Sequence, residues 1–168
     1  MTGRQGPDPA AMAKLREAAF TVEPGALDAA PTPELPHVFG ALMETGFDVA
    51  AATLAVFADG TVSLYFSNGG GVIGAGSHDA VRASAARLLA SAERHLSLLA
   101  PVAQTPPPPL PGRVCLYVRC FDGTRGAEAA ESELAALDHP LAGLFRAAHA
   151  VITEMRRQTP PPAAPPRQ

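Results

Sequence analysis

The sequence predicts an α+β domain: a mainly antiparallel five-stranded sheet, built from two Asp-Gly hairpins plus one further strand and flanked by three helices. Three observations carry this reading. Strand-like segments 50–58 and 61–67 flank Asp59-Gly60, a second alternating pair flanks Asp122-Gly123, and three other segments repeat their apolar residues at helical spacing. The hairpins join neighbouring antiparallel strands directly, so no parallel crossover unit is required.

Taken in order, Asp8-Pro9 is a helix start, with a carboxylate cap and proline at the first helical position. The helix to Phe20 presents Met12, Leu15 and Ala19 as its apolar side. Four prolines in 21–37 (Pro24, Pro31, Pro33, Pro36) exclude regular structure and predict an extended strap. Segment 38–43 is almost continuously apolar, as in a short strand buried on both faces. A two-residue type I′ turn at Asp59-Gly60 sets Phe57 opposite Val62, Ala55 opposite Leu64 and Thr53 opposite Phe66 on the core face. The other face, with Leu54, Val56 and Tyr65, is then too apolar to stand in water and is expected to be an interface.

Residues 78–99 form the second helix, with Ser77 as cap, Asp79 in the first turn, and Val81, Ala85, Leu88, Ala92, Leu96 and Leu99 as one stripe. The prolines of 105–112 make a stiff connection to the second hairpin. There Val114, Leu116, Val118 and Cys120 alternate with Cys115, Tyr117, Arg119 and Phe121. Its register places Glu128 opposite Tyr117, with Arg119 as a diagonal neighbour. Cys115 and Cys120 lie an odd number of positions apart, point to opposite faces and cannot pair. The last helix begins near Asp138-His139-Pro140 and carries Leu141, Leu144, Phe145, Ala148, Val151, Ile152 and Met155 on one side. The domain spans 8–157, between a disordered N-terminus (1–7) and a disordered proline-rich tail (158–168).

In element order this chain resembles the roadblock, longin and profilin kind of domain over about residues 8–157. It places three strands before the middle helix and two after, where roadblock domains place two and three. The resemblance implies a dimerising or partner-binding platform, such as those that work with small GTPases.

The net charge is −3, and the 13 basic residues are scattered, which argues against a nucleic-acid surface. No apolar run reaches the ~20 residues of a membrane helix, and the first residues lack a signal peptide's apolar core. A cytoplasmic protein is expected. Arginine, alanine and proline prevail and Lys14 is the lone lysine, as in a GC-rich bacterial genome.

The segment nearest to a chemical motif is the glycine run 68–79. Gly69, Gly71 and Gly74 fit G-x-G-x-x-G, but they follow an antiparallel hairpin, and the position for the ribose-binding acid, near Glu93, falls inside a helix. Gly71 to Gly76 followed by Ser77 has P-loop spacing without the lysine. A looser site remains: Asn68, Gly69, Gly70, Gly71, Gly74, Gly76, Ser77, His78 and Arg82 around exposed amides that would hold a small anion or carboxylate. The competing reading is a flexible turn that the glycines permit.

The five histidines do not converge, and no nucleophile elbow is present. His95 and His149 are expected on helix flanks, His139 at a helix entry and His37 exposed in the strap. Glu44 and Asp48, around Gly46, are expected to be solvated or to face the glycine loop. The functional expectation is a non-catalytic protein-interaction or dimerisation module, without cofactor or metal, acting as a homodimer or with a protein partner. The alternative is a small-molecule or anion-binding protein, or an enzyme, with its site at 68–78.

Overall fold

A computed structural model of the chain describes residues 8–158. The segments expected to be disordered, 1–7 and the tail beyond 158, lie outside the described residues; Gln158 itself closes the last helix. The fold is α+β with an antiparallel sheet, but among the described residues the sheet has seven strands and the α-helices number four. The helix α1 (Pro9–Thr21) is followed by the strands β1 (Val38–Gly46), β2 (Ala51–Phe57), β3 (Val62–Phe66) and β4 (Gly71–Val72). Then come α2 (Asp79–His95), β5 (Ala100–Val102), β6 (Arg113–Cys120), β7 (Gly123–Ala130), α3 (Glu131–Ala135) and α4 (Ala142–Gln158). The strand order is β4-β3-β2-β1-β6-β7-β5. The two extra strands are short flanking pieces: β4 lies inside the glycine run, and β5 contains Pro101, so neither shows an alternating pattern.

The sheet separates two cores. On one face, α2 and α4 cover Val38, Ala41, Met43, Leu54, Val56, Val62, Val114, Leu116 and Val118. On the other, α1 covers Phe39, Leu42, Ala55, Phe57, Tyr65, Cys115 and Tyr117. The alternation along β6 delivers this division: Val114, Leu116, Val118 and Cys120 face α2 and α4, and Cys115 and Tyr117 face α1. Both cysteines are buried and free.

The first hairpin corrects the expected register. Phe57 N–H donates to the Thr61 carbonyl and Gly60 N–H to the Phe57 carbonyl, which closes a three-residue loop with Gly60 at φ 93°. This is a turn followed by a glycine bulge, in place of a two-residue type I′ turn. Val56 therefore faces Val62, and Leu54 faces Leu64. A slip of one residue exchanges the faces of a strand. Leu54 and Val56, expected at an interface, are fully buried under the helices, and Tyr65 is buried on the α1 side. The chain covers all three itself, which removes the semi-exposed face on which they had been placed.

The second hairpin turns on Phe121-Asp122, with Cys120 opposite Gly123. The pairing is two positions away from the expected one, so the faces are preserved. Glu128 sits opposite Cys115, not Tyr117, and it pairs with Arg113 at 2.9 Å, not with Arg119. The α2 N-cap is His78, which makes no side-chain capping bond; the expected cap, Ser77, belongs to a short 3₁₀ turn before it. Asp8 caps α1 as expected, accepting from Ala11 N–H at 2.7 Å. Among the described residues, no helix is long and apolar enough to cross a membrane.

Candidate functional site

The glycine run makes a hairpin and a corner. Phe66 N–H donates to the Gly70 carbonyl and Gly69 N–H to the Phe66 carbonyl, so Ser67-Asn68-Gly69 repeats the three-residue loop of the first hairpin, with Gly69 at φ 106°. Gly71 pairs with Tyr65 as part of β4, and Gly70 leads into it. Gly74 and Ser77 bound a single 3₁₀ turn in which Ser77 and His78 N–H groups donate to the Gly74 and Ala75 carbonyls. Gly76 is fixed by contact: a Cβ there would lie 1.8 Å from the Gly60 carbonyl oxygen.

Three of the amides expected to cradle an anion are thus already bonded within the chain. Arg82, the expected cation, donates to the Gly76 carbonyl at 2.8 Å and pairs with Asp79. Asn68, Ser77 and His78 are exposed, Asn68 on the hairpin loop and the other two at the 3₁₀ corner. Arg82 does line a cleft of about 320 Å³ beside Asp59, Gly60, Ala86 and Leu89, which none of 68–78 enters.

Polar chemistry converges instead beneath α1. Glu44, in the middle of the sheet, has no solvent exposure and accepts from Arg16 Nε at 2.6 Å, Arg16 Nη2 at 2.8 Å and Thr53 Oγ1 at 2.8 Å. It neither meets solvent nor faces the glycine loop, as had been expected. Arg16 also donates to the Pro106 carbonyl at 2.6 Å, which ties the proline connection to α1. Burial alone would weaken Arg16's hold on its proton; the hydrogen bonds and charge of Glu44 outweigh it and raise the pKa. Burial, followed by the charge of Glu44, pushes the Tyr65 hydroxyl far up, and that hydroxyl donates to the Leu15 carbonyl at 3.2 Å.

At the other end of α1, Arg119 is 7% exposed and donates to the carbonyls of Ala19 (2.5 Å) and Val22 (2.8 Å). A cation on the last free carbonyls suits the negative end of the helix dipole. The guanidinium also lies over the Phe39 ring, 5.1 Å from its centroid. Burial lowers the Arg119 pKa, and its Nε is left without a partner. Arg16, Glu44, Thr53, Tyr65 and Arg119 were not recognised as one group in the sequence. The available signal was a charged residue inside an otherwise apolar strand: Glu44 after Ala41-Leu42-Met43, and Arg119 between Val118 and Cys120.

A cleft of about 270 Å³ opens along the first half of α1, walled by Met12, Ala13, Pro108 and Ala51 with Arg16 and Tyr65 in its lining. The histidines stay apart. His37 pairs with Glu93, whose carboxylate also accepts the Val38 N–H at 3.1 Å and so anchors the start of β1. His95 bonds within its own helix, and His139 Nδ1 accepts from Leu141 N–H at the entry to α4. His149 packs edge-on against Phe145, with Nε2 buried and unpartnered. Among the described residues no group of three or more His, Cys, Asp or Glu could hold a metal ion. No protein-family model, curated protein or solved structure matches this chain.

Proposed function

We propose that the protein is a non-catalytic interaction module that self-associates or binds a protein partner through one end of its sheet. The supporting observation is an exposed apolar group at the β1–β2 turn. Phe47 is 48% exposed and Val49 82%, while Leu110, 73% exposed, belongs to the loop packed on Gly46. Gly112 N–H donates to the Gly46 carbonyl at 3.0 Å and holds that loop in place. Single exposed apolar side chains are ordinary, but neighbouring ones on two braced turns are the usual make-up of a contact surface. Buried Glu44 and Arg119 support the same reading, because their hydrogen bonds are spent in holding α1.

The test is sedimentation of the full chain across a concentration series, alongside the Phe47→Ser/Val49→Ser double variant. The expected result is association that strengthens with concentration and is lost in the variant, with the melting temperature unchanged. A chain that stays monomeric throughout and carries no co-purifying protein overturns the proposal.

A second reading, small-molecule binding, is favoured by the cleft beside α1, whose apolar walls and few polar groups have the character of a ligand site. An anion at 68–78 would instead have to draw Arg82 away from Asp79 and the Gly76 carbonyl. Ala13→Trp, filling the cleft, separates the two readings: it abolishes ligand-induced thermal shifts and leaves association intact.

A further inference from the structure

We propose that α1 is exchangeable: two copies of this chain trade α1 reciprocally, each helix seating on the other copy's Glu44–Arg119 face. This adds to the interaction reading a contact that does not involve Phe47, Val49 or Leu110. The apolar attachment of α1 is weak. Only Met12, Ala19 and Phe20 of α1 are buried, against seven residues of α2 and six of α4. Ala11, Leu15 and Val22 add partly buried contact, and the rest of the hold is polar and specific: Arg16 on Glu44 and on the Pro106 carbonyl, the Leu15 carbonyl on Tyr65, and the Ala19 and Val22 carbonyls on Arg119.

The uncovered face is also selective in what it accepts. When α1 lifts, Glu44 and Arg119 regain water, which offsets part of the loss of apolar contact. A foreign helix would bury both charges unpaired unless it offered a guanidinium above Glu44 and free carbonyls above Arg119. Another α1 offers both in the right places. The face therefore selects a second copy of its own cover.

The connection from α1 to β1 permits the exchange. Residues 22–37 contain one short 3₁₀ turn, Pro24–Leu27, around which Val22, Leu27 and Ala29 pack on the α1 side of the sheet, and 30–34 are exposed. Extended, this segment reaches on the order of 50 Å, enough to cross to a neighbour. Pro31 and Pro33 stiffen the exposed stretch and resist its folding back. Closed and exchanged forms make the same contacts, so concentration and this hinge set the balance.

Charge reversal tests it on full chains. Arg16→Glu and Glu44→Arg each place like charges between α1 and its own face, whereas a reciprocal pair of the two variants restores opposite charges at both seats. With Phe47→Ser in both chains to remove the apolar-end contact, light scattering of a 1:1 mixture is expected to give twice the 17.3 kDa chain mass, and each variant alone one chain mass. A mixture that stays at one chain mass, or single variants that dimerise equally well, overturns the proposal. Hydrogen exchange on the unaltered chain decides the matter if a variant does not fold. Amides of 9–21 are expected to exchange at least roughly tenfold faster than those of 79–95; equal protection overturns the proposal.

Discussion

The two faces of the sheet are both buried, yet they hold their covers by different means. Under α2 and α4 the contact is aliphatic: Leu54, Val56, Val81, Leu88, Leu116, Leu144 and Val151 all lie within 2% of full burial. Under α1 the aromatic residues Phe39, Phe57 and Tyr117 share the surface with a carboxylate and a guanidinium. Aliphatic contact is non-directional and adds up with area, so it resists every displacement alike. A bidentate ion pair and two helix-end hydrogen bonds depend on geometry, and once broken they are repaid by water. Two equally dry layers on one sheet can thus differ in how readily they come apart.

The largest expected effect attacks the aliphatic side. Leu116→Ala should lower the unfolding free energy by ~2–5 kcal/mol in urea titration, in one global transition. Glu44→Ala, which strands Arg16, should remove ~3 kcal/mol or less, because release of α1 limits the damage. Adding Arg119→Ala should then lower stability by less than the two single changes summed; full additivity would show that α1 never lets go by itself.

A smaller effect tests pH. Burial holds the His149 imidazole below its ordinary pKa, with the charge of Glu131 acting the other way. Below pH 6.5 the unfolded chain takes up a proton that the folded chain resists, so stability falls as pH falls through that range, by at most ~1.4 kcal/mol per unit. The His149→Phe variant should show a smaller drop in urea midpoint between pH 7 and pH 5 than the parent.

The smallest perturbation only reports. Burial raises the pKa of both thiols, that of Cys120 to about 11, so neither reacts with alkylating agents unless its layer opens. Cys115 lies on the α1 side and Cys120 on the other. Labelling under native conditions should modify Cys115 first; simultaneous modification would mean that the layers open together.

Much of the fold was legible where the signal is local. The periodicity of 78–99 and of the last helix, the Asp8-Pro9 start and both hairpins are written in neighbouring residues. The register of the first hairpin was not, because Asp-Gly serves a two-residue loop and a glycine-bulged three-residue loop equally well, and the choice exchanges the faces. The same ambiguity at Asp122-Gly123 shifted the pairing by two and left the faces intact. The strands β4 and β5 escaped notice because a glycine run and a proline show no alternation, and they exist by pairing with Leu64-Tyr65 and with 124–126. The group under α1 was invisible for a different reason. Arg16 meets Glu44 across 28 positions, and Arg119 meets α1 across about a hundred, distances at which spacing carries no information.

The two short flanking strands have one more consequence. A sheet that ends in a long, regular strand is a template on which further chains can stack without limit. Here one margin is β4, two residues long, and the other is β5, whose Pro101 has no N–H to offer. Lateral growth into fibres finds little purchase on either. The margins of this sheet therefore leave open-ended stacking of strands without a template.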